Sequence, residues 1–270
     1  MEKCQCKHPF DAHIPQAHQA QWRAAAKLNQ ALIKEHLKPR PDVVLLGDSI
    51  VEHLAGRNLG YSTRDWAPLK NVFDNLFTKA EGGKVNGIPL GIGGDRIPNL
   101  LYRLQNGEAS LDFHPKVWWI ASIGTNDLED FCNADTIVVG IFHLVDEIRK
   151  YHPGSKIVLN SILPRNDSPD LESSPTWEII KEINLKLECY SNTAFNVDFF
   201  DATGVFTYTS NGKKVVNSKF MKDPVHPNAE GSRLWSEAIV DRVVELKDKV
   251  HHGSNPKKKK KKGHHHLNHV

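Results

Sequence analysis

Four apolar residues in a row, Val43-Val44-Leu45-Leu46, run straight into Gly47-Asp48-Ser49. A strand with one wet face alternates apolar and polar residues. A run with no polar member suits a strand buried on both faces of a parallel sheet. Comparable runs recur at residues 88–92, 117–123, 156–163 and 195–200. Between them, near 65–79, 97–106, 134–151, 175–190 and 228–249, the pattern changes to that of helices. A further helix is predicted over 15–37, where Trp22, Ala25, Leu28, Leu32 and His36 recur at three- and four-residue steps until Lys38-Pro39-Arg40-Pro41 breaks it. Strand and helix in alternation predict an α/β layer fold with a mainly parallel sheet. Trp118 and Trp119 are neighbours in a core strand and are expected to pack one toward each face.

In such a fold ligands bind outside the carboxyl ends of the strands. Ser49 follows the first predicted strand, Gly93 the second and Asn126 the third, so all three are expected at one edge. Ser49 fits either a nucleophile, once a base takes its proton, or the N-cap of a helix starting at Ile50. The block is not the Gly-x-Ser-x-Gly elbow, since Val51 stands where that pattern requires its second glycine. Gly91-Ile92-Gly93-Gly94-Asp95-Arg96 lets backbone N–H groups approach a developing oxyanion, or forms an ordinary turn; it lacks the spacing of a phosphate loop. In Gly124-Thr125-Asn126-Asp127 the asparagine amide can donate to the same charge, or shape a turn.

The fourth block, Asp223-Pro224-Val225-His226-Pro227, delivers a carboxylate and an imidazole from one short loop stiffened by two prolines. Its alternative is a capping aspartate and a surface histidine before the last helix. As chemistry, His226 is the general base toward Ser49 and Asp223 the group that holds the imidazole. His53, one helical turn after Ser49, is a rival base with no aspartate at a comparable spacing.

The four blocks together resemble the SGNH, or GDSL, hydrolase superfamily. Ser49, Gly93, Asn126 and His226 match its serine, glycine, asparagine and histidine, with Asp223 as the acid. Within it the chain is most similar to the catalytic subunits of intracellular platelet-activating-factor acetylhydrolases, through residues 41–49, Gly91-Ile92-Gly93-Gly94-Asp95, Arg103-Leu104-Gln105-Asn106-Gly107-Glu108 and Leu163-Pro164-Arg165. The resemblance spans roughly residues 18–247. It implies a flavodoxin-like three-layer α/β/α sandwich on a mainly parallel five-stranded sheet, with no metal or organic cofactor. It also implies an oxyanion hole from the Ser49 and Gly93 N–H groups and the Asn126 side chain, and a homodimer. The activity implied is that of a serine esterase on short-chain, acetyl-type esters of a lipid or carbohydrate alcohol. Lysophospholipase or thioesterase activity on longer chains is the second reading, and a non-catalytic binding module on the same fold the third.

Composition narrows the rest. Hydrophobic residues are 39% and charged residues 25%, as in globular proteins, and no apolar run reaches the roughly 18 residues of a membrane span. The net charge of +3 is more than accounted for by six lysines at 257–262, so it describes a tail and not the fold; nucleic-acid binding is not expected. Four cysteines in 270 residues, with no secretory signature, predict reduced thiols and a cytoplasmic location. Cys4, Cys6 and the early histidines fit no closed zinc site. The expected organisation is a flexible N-terminus over 1–14, one hydrolase domain over 15–250 and a disordered Lys/His-rich tail over 251–270, with the polar loop 166–176 either bordering the active site or simply solvated.

Overall fold

The computed structural model describes residues 11–253 except 131 and 169, and side chains as far as residue 247. Most of the first and last segments named above therefore lies outside the described residues.

Five parallel strands form the central sheet: β1 Val43–Gly47, β4 Gly87–Gly91, β5 Val117–Ser122, β6 Lys156–Asn160 and β7 Val197–Phe200, in the spatial order β4-β1-β5-β6-β7. In order of appearance this is 2-1-3-4-5, the doubly wound flavodoxin-like arrangement, with its reversal beside β1. Pro89 lies within β4, which tolerates a missing N–H because β4 is the edge strand. Register places Gly47 beside Gly91 on one side and Ser122 on the other, with a bulge before Gly47.

The helices that flank the sheet are α1 Gln19–Glu35, α3 Ala67–Phe77, α4 Ile97–Arg103, α6 Ala134–Tyr151, α7 Pro175–Ser191 and α9 Ala229–Gly253. α3 packs on α9, while α6 packs between α4 and α7. Trp118 and Trp119 are fully buried and face opposite ways, as expected. Trp118 meets Phe113 and His152; Trp119 meets Phe200 and shares the Asn160 side chain with Trp235 of α9. The result is the three-layer sandwich.

Several boundaries differ from the sequence expectation. β6 ends at Asn160, although the apolar run continues to Leu163. The backbone of Ile162 is taken over by the Asn184 side chain, which accepts from its N–H at 2.7 Å and donates to its carbonyl at 3.1 Å. α4 gives way to a wider turn over Leu104–Glu108, where Gly107 has a φ of 120°. Two hairpins were not anticipated: β2 Arg57–Asn58 with β3 Tyr61–Ser62, and β8 Thr207–Ser210 with β9 Lys213–Val216. The second turns on Asn211-Gly212, a readable signal; the first turns on Leu59-Gly60, which is not, because leucine rarely takes φ near 48°. Of the cysteines expected to be reduced, Cys189 is free and exposed, while Cys4 and Cys6 lie outside the described residues. No described helix is long and apolar enough to cross a membrane.

Immediately after β1 comes the short helix α2, Ser49–Leu54, lying across the strand ends. The approach is close: a Cβ on Gly91 would come within 2.3 Å of the Glu52 nitrogen and 2.5 Å of the Asp48 carbonyl. Gly91→Ala is expected to destabilise the protein by about 1–3 kcal/mol in urea unfolding, because backbone has to give way. An unchanged midpoint would show that α2 has room to retreat.

Candidate active site

Ser49 opens α2 at the carboxyl edge of the sheet. Its helix is capped not by Ser49 but by Asp48, whose carboxylate accepts from the Ile50 N–H at 2.9 Å and from the Ser122 hydroxyl of β5 at 3.0 Å. The serine hydroxyl is thereby left free of capping, and it lies 2.9 Å from His226 Nε2. His226 Nδ1 lies 2.8 Å from Asp223 Oδ2.

Asp223 sets the direction of this relay. Partial burial pushes its carboxyl pKa up, but the Val225 and His226 N–H groups and the His226 ring donate to it, and together they hold it below the usual aspartate value. An ionised carboxylate can only accept, so Nδ1 carries the ring proton and Nε2 is left to accept from Ser49. The loop is held by the Lys222 N–H donating to the His226 carbonyl at 2.8 Å and by the Asn166 N–H donating to the Pro224 carbonyl at 2.7 Å. That second bond ties the start of loop 166–176 to the Asp223/His226 loop, so this loop does border the site.

The rival histidine is placed clearly. His53 is buried, stacked on Trp66 with ring centroids 3.5 Å apart and planes 9° apart, and its ring lies 4.8 Å from that of His226. Burial above all, with the neighbouring His226 ring, pushes its pKa down to about 3. Ser49 is bonded to His226 and not to His53.

Asn126, on α5 Thr125–Glu129, donates one amide hydrogen to the Asp95 carbonyl at 2.9 Å, which leaves the second for another acceptor. Gly93 does not meet its expectation. Its N–H donates to Glu52 Oε2 at 2.7 Å and is spent there. Sequence reasoning passed over Glu52, a buried carboxylate that also accepts from the Leu59 and Gly60 N–H groups at 2.9 and 2.7 Å, fastening the β2–β3 hairpin to the loop after β4. Gly94, the next residue, has a φ of 77° and open space where a Cβ would be. Among the described residues its N–H has no acceptor within hydrogen-bond reach.

A second buried group supports this edge. The Arg103 guanidinium donates to the Gly47 carbonyl at 2.7 Å, to the Leu90 carbonyl at 3.0 Å and to Glu108 at 2.8 Å, and pairs with Asp95 at 2.8 Å. The Trp22 indole donates to the other Asp95 oxygen at 2.6 Å. The sequence carried this as the Arg103…Glu108 stretch, without saying what it did. A cavity of about 900 Å³ opens at the opposite edge, among Arg40, Val117, Lys156 and Arg242. None of the four sequence blocks lines it, so the hydrogen-bond relay locates the chemistry.

The GDSL-like Lipase/Acylhydrolase family matches residues 45–234. The chain is 28% identical over 209 residues to platelet-activating factor acetylhydrolase IB subunit alpha2 of Homo sapiens, covering 77% of this chain and 79% of that protein. It is 27% identical over 157 residues to the alpha1 subunit of Rattus norvegicus, covering 58% and 56%. In structure it is similar to a GDSL-like lipase of Bacteroides thetaiotaomicron, with a TM-score of 0.60 at 23% identity over 84% of this chain and 98% of that one. A carbohydrate esterase family 3 structure of Talaromyces cellulolyticus gives a TM-score of 0.53 at 20% identity, over 77% and 98%.

Burial pushes the Asp48 carboxyl up to about 7 against the bonds it accepts from Ile50 and Ser122. A raised aspartate means that the folded state binds the proton more tightly than the unfolded chain. Its contribution to stability is full below about pH 4 and is lost as pH rises toward 7. Asp48→Asn removes that titration, so its stability in urea is expected to fall less between pH 4.5 and 7.5 than that of the parent. Parallel curves for the two proteins would mean Asp48 does not titrate in this range.

Proposed function

This chain belongs to the GDSL-like lipase/acylhydrolase family and is a carboxylic ester hydrolase, and on that premise we propose that it is a serine esterase that cleaves short-chain, above all acetyl, esters of a lipid or carbohydrate alcohol. The observation that carries the mechanism is the unbroken relay from Ser49 through His226 to Asp223.

In this reading Ser49 Oγ attacks the ester carbonyl carbon as its proton passes to His226 Nε2. The carbonyl oxygen becomes an oxyanion, received by the Ser49 N–H, the Gly94 N–H and the second amide hydrogen of Asn126. Gly94 takes the place expected of Gly93 because the Gly93 N–H is already committed to Glu52. The Ser49 N–H is the first amide of α2 and has no intrahelical acceptor. Collapse of the tetrahedral species breaks the bond to the alcohol, whose oxygen takes the proton from His226. Water, deprotonated by the same imidazole, then attacks the acyl-serine and releases the acid. Throughout, Asp223 stabilises the imidazolium. The acetyl preference is supported by the names of the acetylhydrolase subunits to which the chain is similar.

Hydrolysis of p-nitrophenyl esters from acetate to palmitate tests this. Turnover is expected to fall steeply with chain length, and Ser49→Ala and His226→Ala to lose roughly 10^4-fold or more. A maximum on long chains would sink the short-chain reading, and turnover surviving in either variant would sink the relay. Asn126→Ala is expected to reduce kcat by about 10^2–10^3-fold with little change in KM, as when one oxyanion donor is removed. A loss confined to KM would instead place Asn126 in ground-state binding.

A further inference from the structure

The direction of the reaction fixes where the alcohol lies. The imidazole that takes the serine proton must return it to the leaving oxygen. On the reading proposed above, that oxygen stands against His226 Nε2, while the oxyanion donors face the other oxygen of the ester. Side chains on the rim beyond His226 therefore meet the alcohol and not the acyl group.

That rim is built from a stack. The Trp66 ring lies 5.9 Å from that of His226. One face of its indole is covered by His53, 3.5 Å away. Lys222 Nζ lies 3.8 Å from the indole centroid, and two groups this close cannot share a face, so Lys222 covers the other. The indole itself is buried and offers no open surface for stacking. What the rim presents outward is the ammonium. The cation–π contact holds it in place, and residue 222 is anchored through its backbone bond to His226. Its acidic neighbour is Asp65 at 3.6 Å, whose side chain is 79% exposed. An ion pair so loose and so wet is worth about 0–1 kcal/mol, so an incoming anion displaces it at little cost. His53, buried and pushed toward its neutral form, adds no second positive charge.

We propose that Lys222 is a specificity-determining residue that selects esters whose alcohol carries a negative charge, a carboxylate or a phosphate. This rests on the serine-esterase reading and adds the class of alcohol to it. The charge is recognised by a point-like ammonium and not by a fork of donors, so the preference is for charge more than for the shape of the anion. Because Lys222 is partly exposed, the preference weakens as ionic strength rises.

The test uses two acetates of nearly the same shape, 4-acetoxybenzoate and 4-acetoxybenzamide, which differ in one negative charge. Their intrinsic reactivities differ but are the same for every variant, so the quantity to compare is the ratio of kcat/KM between them. Lys222→Gln is expected to lower the ratio of anionic to neutral by about tenfold, chiefly through KM. Lys222→Glu is expected to lower it further, and Lys222→Arg to preserve it. The acetate of 4-hydroxyphenyl phosphate, run beside the carboxylate, shows by the larger loss which anion the site favours. A ratio that is the same in the parent, Lys222→Gln and Lys222→Glu overturns the proposal while leaving the esterase intact. Failure of the parent on both acetates and on the p-nitrophenyl series overturns the esterase reading, and this proposal with it.

Discussion

A guanidinium with almost no access to water holds the carboxyl edge of the sheet together. Arg103 is inside the protein, yet its terminal nitrogens donate to Gly47 at the end of β1, Leu90 in β4 and Glu108 at the end of its own helical segment, and its Nε forms an ion pair with Asp95 in the loop beyond. A buried charge left unpaired costs several kcal/mol, so removing any one of these partners leaves the others in an unfavourable setting. The clamp therefore acts as a unit. It fixes where β1 stops, and with it where Ser49 begins; it also fixes Asp95, whose carbonyl receives the Asn126 amide.

Glu52 plays the complementary part. It is an anion among backbone donors where Arg103 is a cation among backbone acceptors. Three N–H groups from two separate loops converge on its carboxylate. Its position one turn into α2 means that the helix carrying the serine also organises the loop that carries Gly94. The serine, the glycine loop and the hairpin are thus a single hydrogen-bonded assembly, while the Asp223/His226 loop joins it from the far side through the Ser49–His226 contact and through Asn166.

Much of this was legible in the chain. Continuous apolar runs announced strands buried on both faces, and their alternation with helices gave the layered fold; the observed β1, β4, β5, β6 and β7 lie where those runs are. Ser49, Asn126, Asp223 and His226 stood out because each follows a strand end or sits in a stiffened loop, and the structure brings Ser49, Asp223 and His226 into one relay. Ends of elements were less legible. The apolar run through Ile162 and Leu163 looks like more strand, and only the Asn184 side chain reaching from α7 explains why it is not. The hairpin at Leu59-Gly60 depends on a leucine in a left-handed conformation, which no local pattern announces.

By itself, the sequence determined which residues have chemistry to offer and on which edge of the sheet they gather, because side-chain periodicity and strand-end position are local properties of the chain. It could not choose between Gly93 and Gly94, since two adjacent glycines are alike until a carboxylate from another element claims one N–H. It favoured His226 over His53 through the nearby Asp223, and the structure bonds Ser49 to His226; it could not see that Lys222, Trp66 and His53 form one stack, because those residues are apart in the chain. Tertiary structure decided these matters for one physical reason: a hydrogen-bond donor, a ring face or a charge acquires its role from what occupies the space beside it, and that neighbour comes from elsewhere in the fold.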